Sequence, residues 1–124
     1  MGTWGTGNLD SDAAADHLEF VCAPMVRQIA EAMGDEKRIE PGEYDADAVM
    51  VNLEVLACLG ENLACQFNLP DPITIASWKR TFLKIWDEMI DDLDPGPEYK
   101  VERRRIIAAT FDRVEGLSRE FRQR

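Results

Sequence analysis

The sequence predicts an all-α protein, a single-domain bundle of about four helices with an irregular Gly/Trp strap at its N-terminus. Apolar residues recur at three- and four-residue steps in four segments, near 12–33, 45–67, 73–94 and 98–122. Stretches rich in proline, glycine and charge separate these segments. No segment alternates apolar and polar residues as a half-buried strand does. A chain of 124 residues can bury one hydrophobic core.

The N-terminal strap comprises residues 1–11 and is dense in glycine. Glycine adopts positive φ angles and lets other groups approach the backbone closely, so this segment predicts a specific non-helical shape. We expect Trp4 to plug the end of the bundle, so that Trp4→Ala costs roughly 3–5 kcal/mol. The predicted structural motif at the N-terminus consists of Gly2, Trp4, Gly5, Gly7, Asp12 and Asp16.

The first helix, 12–33, has a start signal and a stop signal. Asp10, Ser11 or Asp12 can cap its N-terminus, and Gly34 ends it. Pro24 lies inside the pattern and lacks a backbone N–H, which predicts a kink or a short break near Cys22. The expected inward positions are Leu18, Val21, Met25, Ile29 and Ala32 or Met33.

The second helix, 45–67, is apolar nearly all round, which is typical of a helix buried on most sides. Its inward row is Val49, Leu53, Leu56, Gly60, Leu63 and Phe67, and a second stripe contains Val51, Val55, Cys58 and Cys65. The segment Asn68-Leu-Pro-Asp-Pro72 then breaks the helix.

The third and fourth helices are separated by Asp94-Pro-Gly-Pro97, which cannot continue a helix. The third should bury Ile75, Trp78, Phe82, Ile85 or Trp86, Met89 and Leu93. The fourth should bury Val101, Ile106 or Ile107, Phe111, Val114, Leu117 and Phe121. The short connections favour antiparallel neighbours.

The overall charge limits the classes of partner. The chain carries 24 Asp and Glu against 14 Lys and Arg, a formal charge of −10. A field of this sign repels phosphate and anionic lipid, so we expect neither a nucleic acid nor a membrane as partner, and it favours a basic protein. No apolar run approaches the ~20 residues that span a bilayer.

The three cysteines, Cys22, Cys58 and Cys65, lie among apolar residues. On one helix Cys58 and Cys65 would be roughly 10 Å apart, which is too far for a disulfide. We therefore expect three buried free thiols in a reducing compartment. The first residues contain no basic region followed by an apolar run, so we expect no secretory signal and a cytoplasmic protein.

The carboxylates that follow the strap have two interpretations. Asn8, Asp10, Asp12, Asp16 and Glu19 fall at positions 1, 3, 5, 9 and 12 of a calcium-binding loop. Ala13 stands where that loop needs its turn glycine, so capping and charging a helix N-terminus is the favoured interpretation. We assign no metal ligand, no cofactor and no catalytic residue, since His17 is the single histidine and no nucleophile–base arrangement is visible.

A second acidic cluster closes the third helix. Carboxylates near a helix C-terminus are disfavoured by the helix dipole and therefore invite a cation or a basic partner. The residues that we expect to contact a partner are Asp87, Glu88, Asp91, Asp92 and Asp94.

The opening Met1-Gly2-Thr3-Trp4-Gly5-Thr6-Gly7, followed by Asp12, Ala14 and Asp16, also carries a resemblance. It resembles a family of small, acidic, uncharacterised bacterial proteins, classed as a domain of unknown function, that open Met-Gly-Ala/Thr-Trp-Gly-x-Gly and continue Asn-Asp-x-Ala-x-Asp. Ser11-Asp12 stands where Asn-Asp is usual, and Tyr44-Asp45-Ala46-Asp47 is similar to the family's middle. The resemblance implies a bacterial cytoplasmic protein and brings no activity, cofactor or catalytic residue.

Three classes of function follow from the sequence. The favoured one is an interaction protein, for instance an immunity-type inhibitor whose acidic face covers a basic toxin or nuclease. The second is a metal-dependent hydrolase of the all-α nucleotide pyrophosphohydrolase type, with Glu54, Glu61, Glu88 and Asp91 as ligands. The third is a structural protein that forms homo-oligomers through an apolar face of the third or fourth helix.

Overall fold

Four α-helices make up most of the part of the chain that the structure describes, residues 2–62 and 64–123 of a computed structural model. Within those residues no β-strand occurs, and the antiparallel bridge between Thr3 and Ser11 is isolated. The predicted all-α bundle of about four helices is therefore confirmed. The strap residue Met1 and the expected inward residue Leu63 lie outside the described residues.

Helix α1 spans Asp12–Met33. Ser11 provides its N-cap, because the Ser11 hydroxyl accepts a hydrogen bond from the Ala14 N–H at 3.1 Å. Gly34 caps its C-terminus. The helix continues through Pro24 without interruption, so the break that the sequence allowed near Cys22 does not occur. Val21, expected to face inward, is exposed.

Helix α2 spans Tyr44–Glu61 and ends about one and a half turns before the predicted residue 67. The chain leaves the helix at Asn62, and Cys65 adopts a left-handed conformation with φ of 65°. A short 3₁₀ helix, Gln66–Asn68, follows. Phe67, predicted as the last inward residue of α2, is consequently 72% exposed.

The expectation that α2 is buried on most sides was wrong for one face. Val51, Val55 and Cys58 lie three and four residues apart and are all exposed. The inward row is buried as predicted at Val49, Leu53, Leu56 and Gly60. Helix α2 therefore lies at the side of the bundle rather than at its centre.

Helix α3 spans Pro72–Met89, and Asp71 caps it by accepting from the Thr74 N–H at 2.8 Å. A 3₁₀ helix, Ile90–Leu93, replaces the predicted last turn, which leaves Leu93 exposed instead of inward. Helix α4 spans Pro97–Arg122. Its first predicted inward residue, Val101, is also exposed.

The four helices pack in the cyclic order α1, α2, α4, α3, so α2 and α3 are consecutive in sequence but lie diagonally across the bundle. The start of α2, the end of α3 and the start of α4 meet at one end. The start of α1, residues 64–68 and the end of α4 meet at the other, here called the strap end. The chain alternates direction, so the neighbours α2 and α4 are parallel, whereas α1–α2 and α3–α4 are antiparallel pairs.

The hydrophobic core lies between all four helices. The largest side chains with almost no exposure include Phe111, Ile29, Leu53, Leu56 and Ile75. Phe82 packs against Phe111 with ring centroids 5.6 Å apart, which joins α3 to α4. Packing in the core thus fixes the positions of the helix ends relative to one another.

Candidate binding cleft

The N-terminal strap folds back on itself and onto the start of α1. The Trp4 N–H donates to the Asp10 carbonyl at 3.0 Å, the Asp10 N–H donates to the Gly7 carbonyl at 3.2 Å, and the Asp12 N–H donates to the Gly2 carbonyl. The Gly7 N–H also donates to Asp10 Oδ2 at 2.9 Å. The strap is therefore a hydrogen-bonded turn held at both ends.

The strap glycines serve close approach rather than positive φ, since Gly42 is the one described glycine with a positive φ. A Cβ atom would lie 2.5 Å from Asp10 Oδ2 at Gly5 and 2.7 Å from the same oxygen at Gly7. At Gly2 a Cβ would lie 2.9 Å from Asp12 Oδ2. The Gly-x-x-Gly-x-Gly spacing thus makes room for two carboxylates of the chain itself.

The strap forms one wall of a cleft of about 570 Å³, the volume of a small-ligand site. The start of α1, the 3₁₀ helix Gln66–Asn68 and the end of α4 form the other walls. The residues that line the cleft are Trp4, Leu9, Asp10, Ala15, Asp16, Leu18, Glu19, Asn62, Ala64, Cys65, Gln66, Phe67, Asn68 and Phe121. We call this feature the strap cleft.

Aromatic side chains from three parts of the sequence meet in the strap cleft. Trp4 is 60% exposed and does not plug the bundle, so the expectation that it is buried was wrong. Phe67 packs edge-on against Phe121 with ring centroids 6.3 Å apart, yet it stays largely exposed. Exposed aromatic residues that converge on one concavity are typical of a protein-interaction surface.

The charge in the strap cleft is of one sign. Asp10, Asp16 and Glu19 line it, and its described lining contains no lysine, arginine or histidine. Two motif residues therefore differ in position: Asp16 faces the cleft, whereas Asp12 lies in the first turn of α1 beside Gly2. A lining of apolar and anionic side chains suits a ligand that combines apolar groups with positive charge.

The acidic cluster that we predicted as a partner surface lies at the opposite end of the bundle. Asp87 binds Arg104 through two hydrogen bonds of 2.9 Å, and the pKa of Asp87 is lowered chiefly by that arginine. Asp91 pairs with Lys100 at 2.8 Å. Glu88, Asp92 and Asp94 are exposed and form no ion pair within residues 2–62 and 64–123. Helix α4 thus neutralises part of this cluster.

The carboxylates of the hydrolase hypothesis do not converge. Arg113 of α4 binds Glu54 at 3.0 Å and Glu61 at 2.6 Å on α2. Glu88 lies at the end of α3 and Asp91 in the 3₁₀ helix that follows it. Hydrogen bonding to Arg113 lowers the pKa of Glu54, and hydrogen bonding to Glu61 and Glu54 raises the pKa of Arg113. In the part of the chain that the structure describes, no three His, Cys, Asp or Glu side chains are grouped to hold a metal ion.

The cysteines differ from the prediction. Cys22 of α1 and Cys65 form a disulfide with Cα atoms 6.1 Å apart, and Cys58 is a free, exposed thiol that donates to Glu54 at 3.4 Å. The prediction of three buried free thiols was wrong because it compared spacing within one helix, whereas the pair joins two elements 43 residues apart. A disulfide is typical of oxidising environments, so it lends no support to the predicted cytoplasmic location.

Comparison of the chain with protein-family models, with curated proteins and with solved structures gives no match. The N-terminal family resemblance therefore stays a prediction. None of the helices among the described residues is both long and apolar enough to cross a membrane.

Proposed function

We propose that this protein is an interaction domain that binds a basic partner protein in the strap cleft. The composition of the cleft carries the proposal: exposed Trp4 and Phe67 share one concavity with Asp16 and Glu19, and no described lining residue is basic. Large aromatic anchors beside charge complementary to the partner are the features that dominate protein recognition.

The aromatic residues supply the apolar part of the binding energy. Trp4 and Phe67 are largely exposed, so a partner side chain can cover an aromatic face, and Phe121 packs edge-on against Phe67. An arginine or lysine over such a face also gains a cation–π attraction. A segment that carries apolar and basic side chains therefore fits the cleft better than an apolar segment does.

The negative charge of the molecule raises the rate of association with a basic partner. The formal charge of −10 attracts a basic protein from a distance, and the carboxylates at the cleft orient it on arrival. This supports the class of function predicted from the sequence, an acidic inhibitor of a basic toxin or nuclease, and moves its proposed contact surface from the end of α3 to the strap end. Arg113 occupies two of the four hydrolase carboxylates, which disfavours that alternative.

The test is binding of a labelled amphipathic peptide of arginine and leucine, followed by fluorescence anisotropy. We expect saturable binding that weakens as salt rises through the range where the Debye length falls below about 10 Å. A peptide with glutamate in place of each arginine should not bind. Failure of the arginine peptide to bind at low salt would contradict the proposal.

Two matched variants locate the surface, because each removes two exposed negative charges from opposite ends of the bundle. Asp16→Asn with Glu19→Gln should weaken peptide binding about tenfold, a loss of about 1.4 kcal/mol. Asp92→Asn with Glu88→Gln removes the same charge at the predicted α3 cluster and should change affinity little. A larger loss of affinity in the variant at the α3 cluster than in the variant at the strap cleft would indicate that the partner binds the α3 cluster.

A further inference from the structure

We propose that the Cys22–Cys65 disulfide controls the strap cleft: the oxidised chain ties one cleft wall to α1, and reduction loosens that wall by removing the tie. The inference rests on the proposed function of the cleft and adds its regulation. Cys65 itself lines the cleft and precedes Gln66–Asn68, so the covalent bond ends inside the wall that carries Phe67.

Three helices hold this wall and the residues next to it, and only α1 does so through a covalent bond. Ser118 and Arg122 of α4 hold the residues that follow the wall, because the Ser118 hydroxyl donates to the Pro70 carbonyl at 2.6 Å and Arg122 donates to the Leu69 carbonyl at 3.2 Å. On the side of α1 the wall is tied covalently through Cys22. On the side of α2 the Gln66 side chain donates to the Gly60 carbonyl at 2.7 Å. Breaking the disulfide therefore removes the covalent tie to α1 and leaves the hydrogen bonds to α2 and α4 in place.

The backbone at Cys65 supports the same conclusion. Its φ of 65° places a residue with a side chain in the left-handed region, which costs free energy and persists only where the surroundings enforce it. The bond to Cys22 is one such constraint. Once that bond is broken, Cys65 can relax toward negative φ, which changes the direction in which the chain enters Gln66–Asn68.

The chemistry is a two-electron thiol–disulfide exchange with a dithiol reductant. A reductant thiolate attacks one sulfur of the pair, and the Sγ–Sγ bond breaks. The second thiolate of the reductant then attacks the reductant's own sulfur in the mixed disulfide, and the remaining protein thiolate is expelled. Cys22 and Cys65 end as two thiols, having gained two electrons and two protons, and the reductant ends as a disulfide.

Linkage makes the control reciprocal. If the peptide binds the oxidised form more tightly, its binding must stabilise the disulfide by the same factor. A tenfold difference in affinity corresponds to a shift of about 30 mV in the reduction potential of the pair. An occupied cleft should therefore resist reduction.

The experiment uses the chain with Cys58→Ser, which leaves one cysteine pair and removes a thiol outside the cleft. Affinity for the arginine–leucine peptide is measured before and after treatment with dithiothreitol, with circular dichroism on the same samples. We expect binding to weaken at least tenfold on reduction while helicity is retained. The control adds Cys22→Ser, which should bind weakly with or without dithiothreitol.

Amide hydrogen exchange separates this inference from the proposed function. Reduction should raise exchange at residues 64–68 and leave the α3–α4 pair protected. Equal affinity in the two redox states overturns the inference and leaves the proposed function standing. Absence of binding by the oxidised chain overturns the proposed function, and loss of protection throughout the bundle shows that the disulfide supports the fold as a whole, which also overturns the inference.

Discussion

Single side chains decide the shape of the strap. Asp10 accepts a hydrogen bond from the Gly7 N–H, and its carboxylate fills the space that a side chain at Gly5 or Gly7 would need. The sequence pattern of spaced glycines thus reflects a carboxylate held inside a turn. Trp4 leaves this turn toward solvent and the cleft rather than toward the core.

The exposure of Trp4 reverses the sequence-based estimate of its contribution to stability. We now expect Trp4→Ala to lower the free energy of unfolding by less than about 1 kcal/mol, because a surface side chain loses little packing. Trp86 is 5% exposed, so Trp86→Ala should cost about 3–5 kcal/mol. Urea unfolding followed by circular dichroism measures both variants. Equal losses would place Trp4 in the core after all.

Two glycines of the helices should respond to substitution in opposite directions. Gly116 lies in α4 with nothing within 4 Å of an added Cβ, so Gly116→Ala should stabilise the chain by about 0.5–1 kcal/mol. Gly60 lies where α2 meets α4, and a Cβ there would be 2.8 Å from Leu117 Cδ1. Gly60→Val should cost about 1–3 kcal/mol through overpacking. Thermal unfolding distinguishes the two, and a stabilised Gly60→Val variant would contradict the close approach of α2 and α4.

At the scale of elements, Arg113 connects two parallel helices by binding two carboxylates of α2. Arg113→Gln should lower the free energy of unfolding at neutral pH by at most about 1 kcal/mol, because the partners are half exposed and solvent screens them. Arg105→Gln, which removes a pair within α4 alone, is the matched control and should have the smaller effect.

The pH dependence of that pairing has a definite sign. Arg113 lowers the pKa of Glu54 in the folded state, so the pair stabilises the fold above the usual glutamate pKa of about 4.3. That contribution is lost as the pH falls through the lowered pKa of Glu54. The gap in stability between the parent chain and Arg113→Gln should therefore narrow below about pH 4. A gap that stays constant down to pH 2 would contradict this assignment.

The helix pattern of the chain was predictable because its signals are local. Apolar spacing, Ser11, Gly34 and the prolines near residues 70 and 97 lie next to the features they determine. The end of α2 was not predictable in this way. Apolar spacing continues to Phe67, but the chain turns at Cys65, where it is bonded to a residue 43 positions away. The strap cleft was missed for the same reason, since its walls come from both ends of the chain and from its middle.

For the whole molecule, the disulfide should contribute strongly to stability. A bond that closes a separation of 43 residues removes chain entropy from the unfolded state worth about 4 kcal/mol. Reduction in the Cys58→Ser background should lower the free energy of unfolding by about this amount, and the urea midpoint should fall with it. A midpoint that does not move on reduction would show that the pair is not bonded in solution.

The diagonal placement of α2 and α3 divides the molecule into two helical hairpins, α1–α2 and α3–α4, linked by one crossing segment. Such an arrangement permits exchange of a hairpin between two copies, since the contacts of α2 with α4 form equally well between chains. The bond from Cys65 to α1 anchors the first half of the segment between α2 and α3. We therefore expect domain-swapped dimers to accumulate only when the Cys22–Cys65 bond is broken. A larger dimer fraction after refolding under reducing conditions would indicate that the segment between α2 and α3 has opened, not that a new interaction surface has formed.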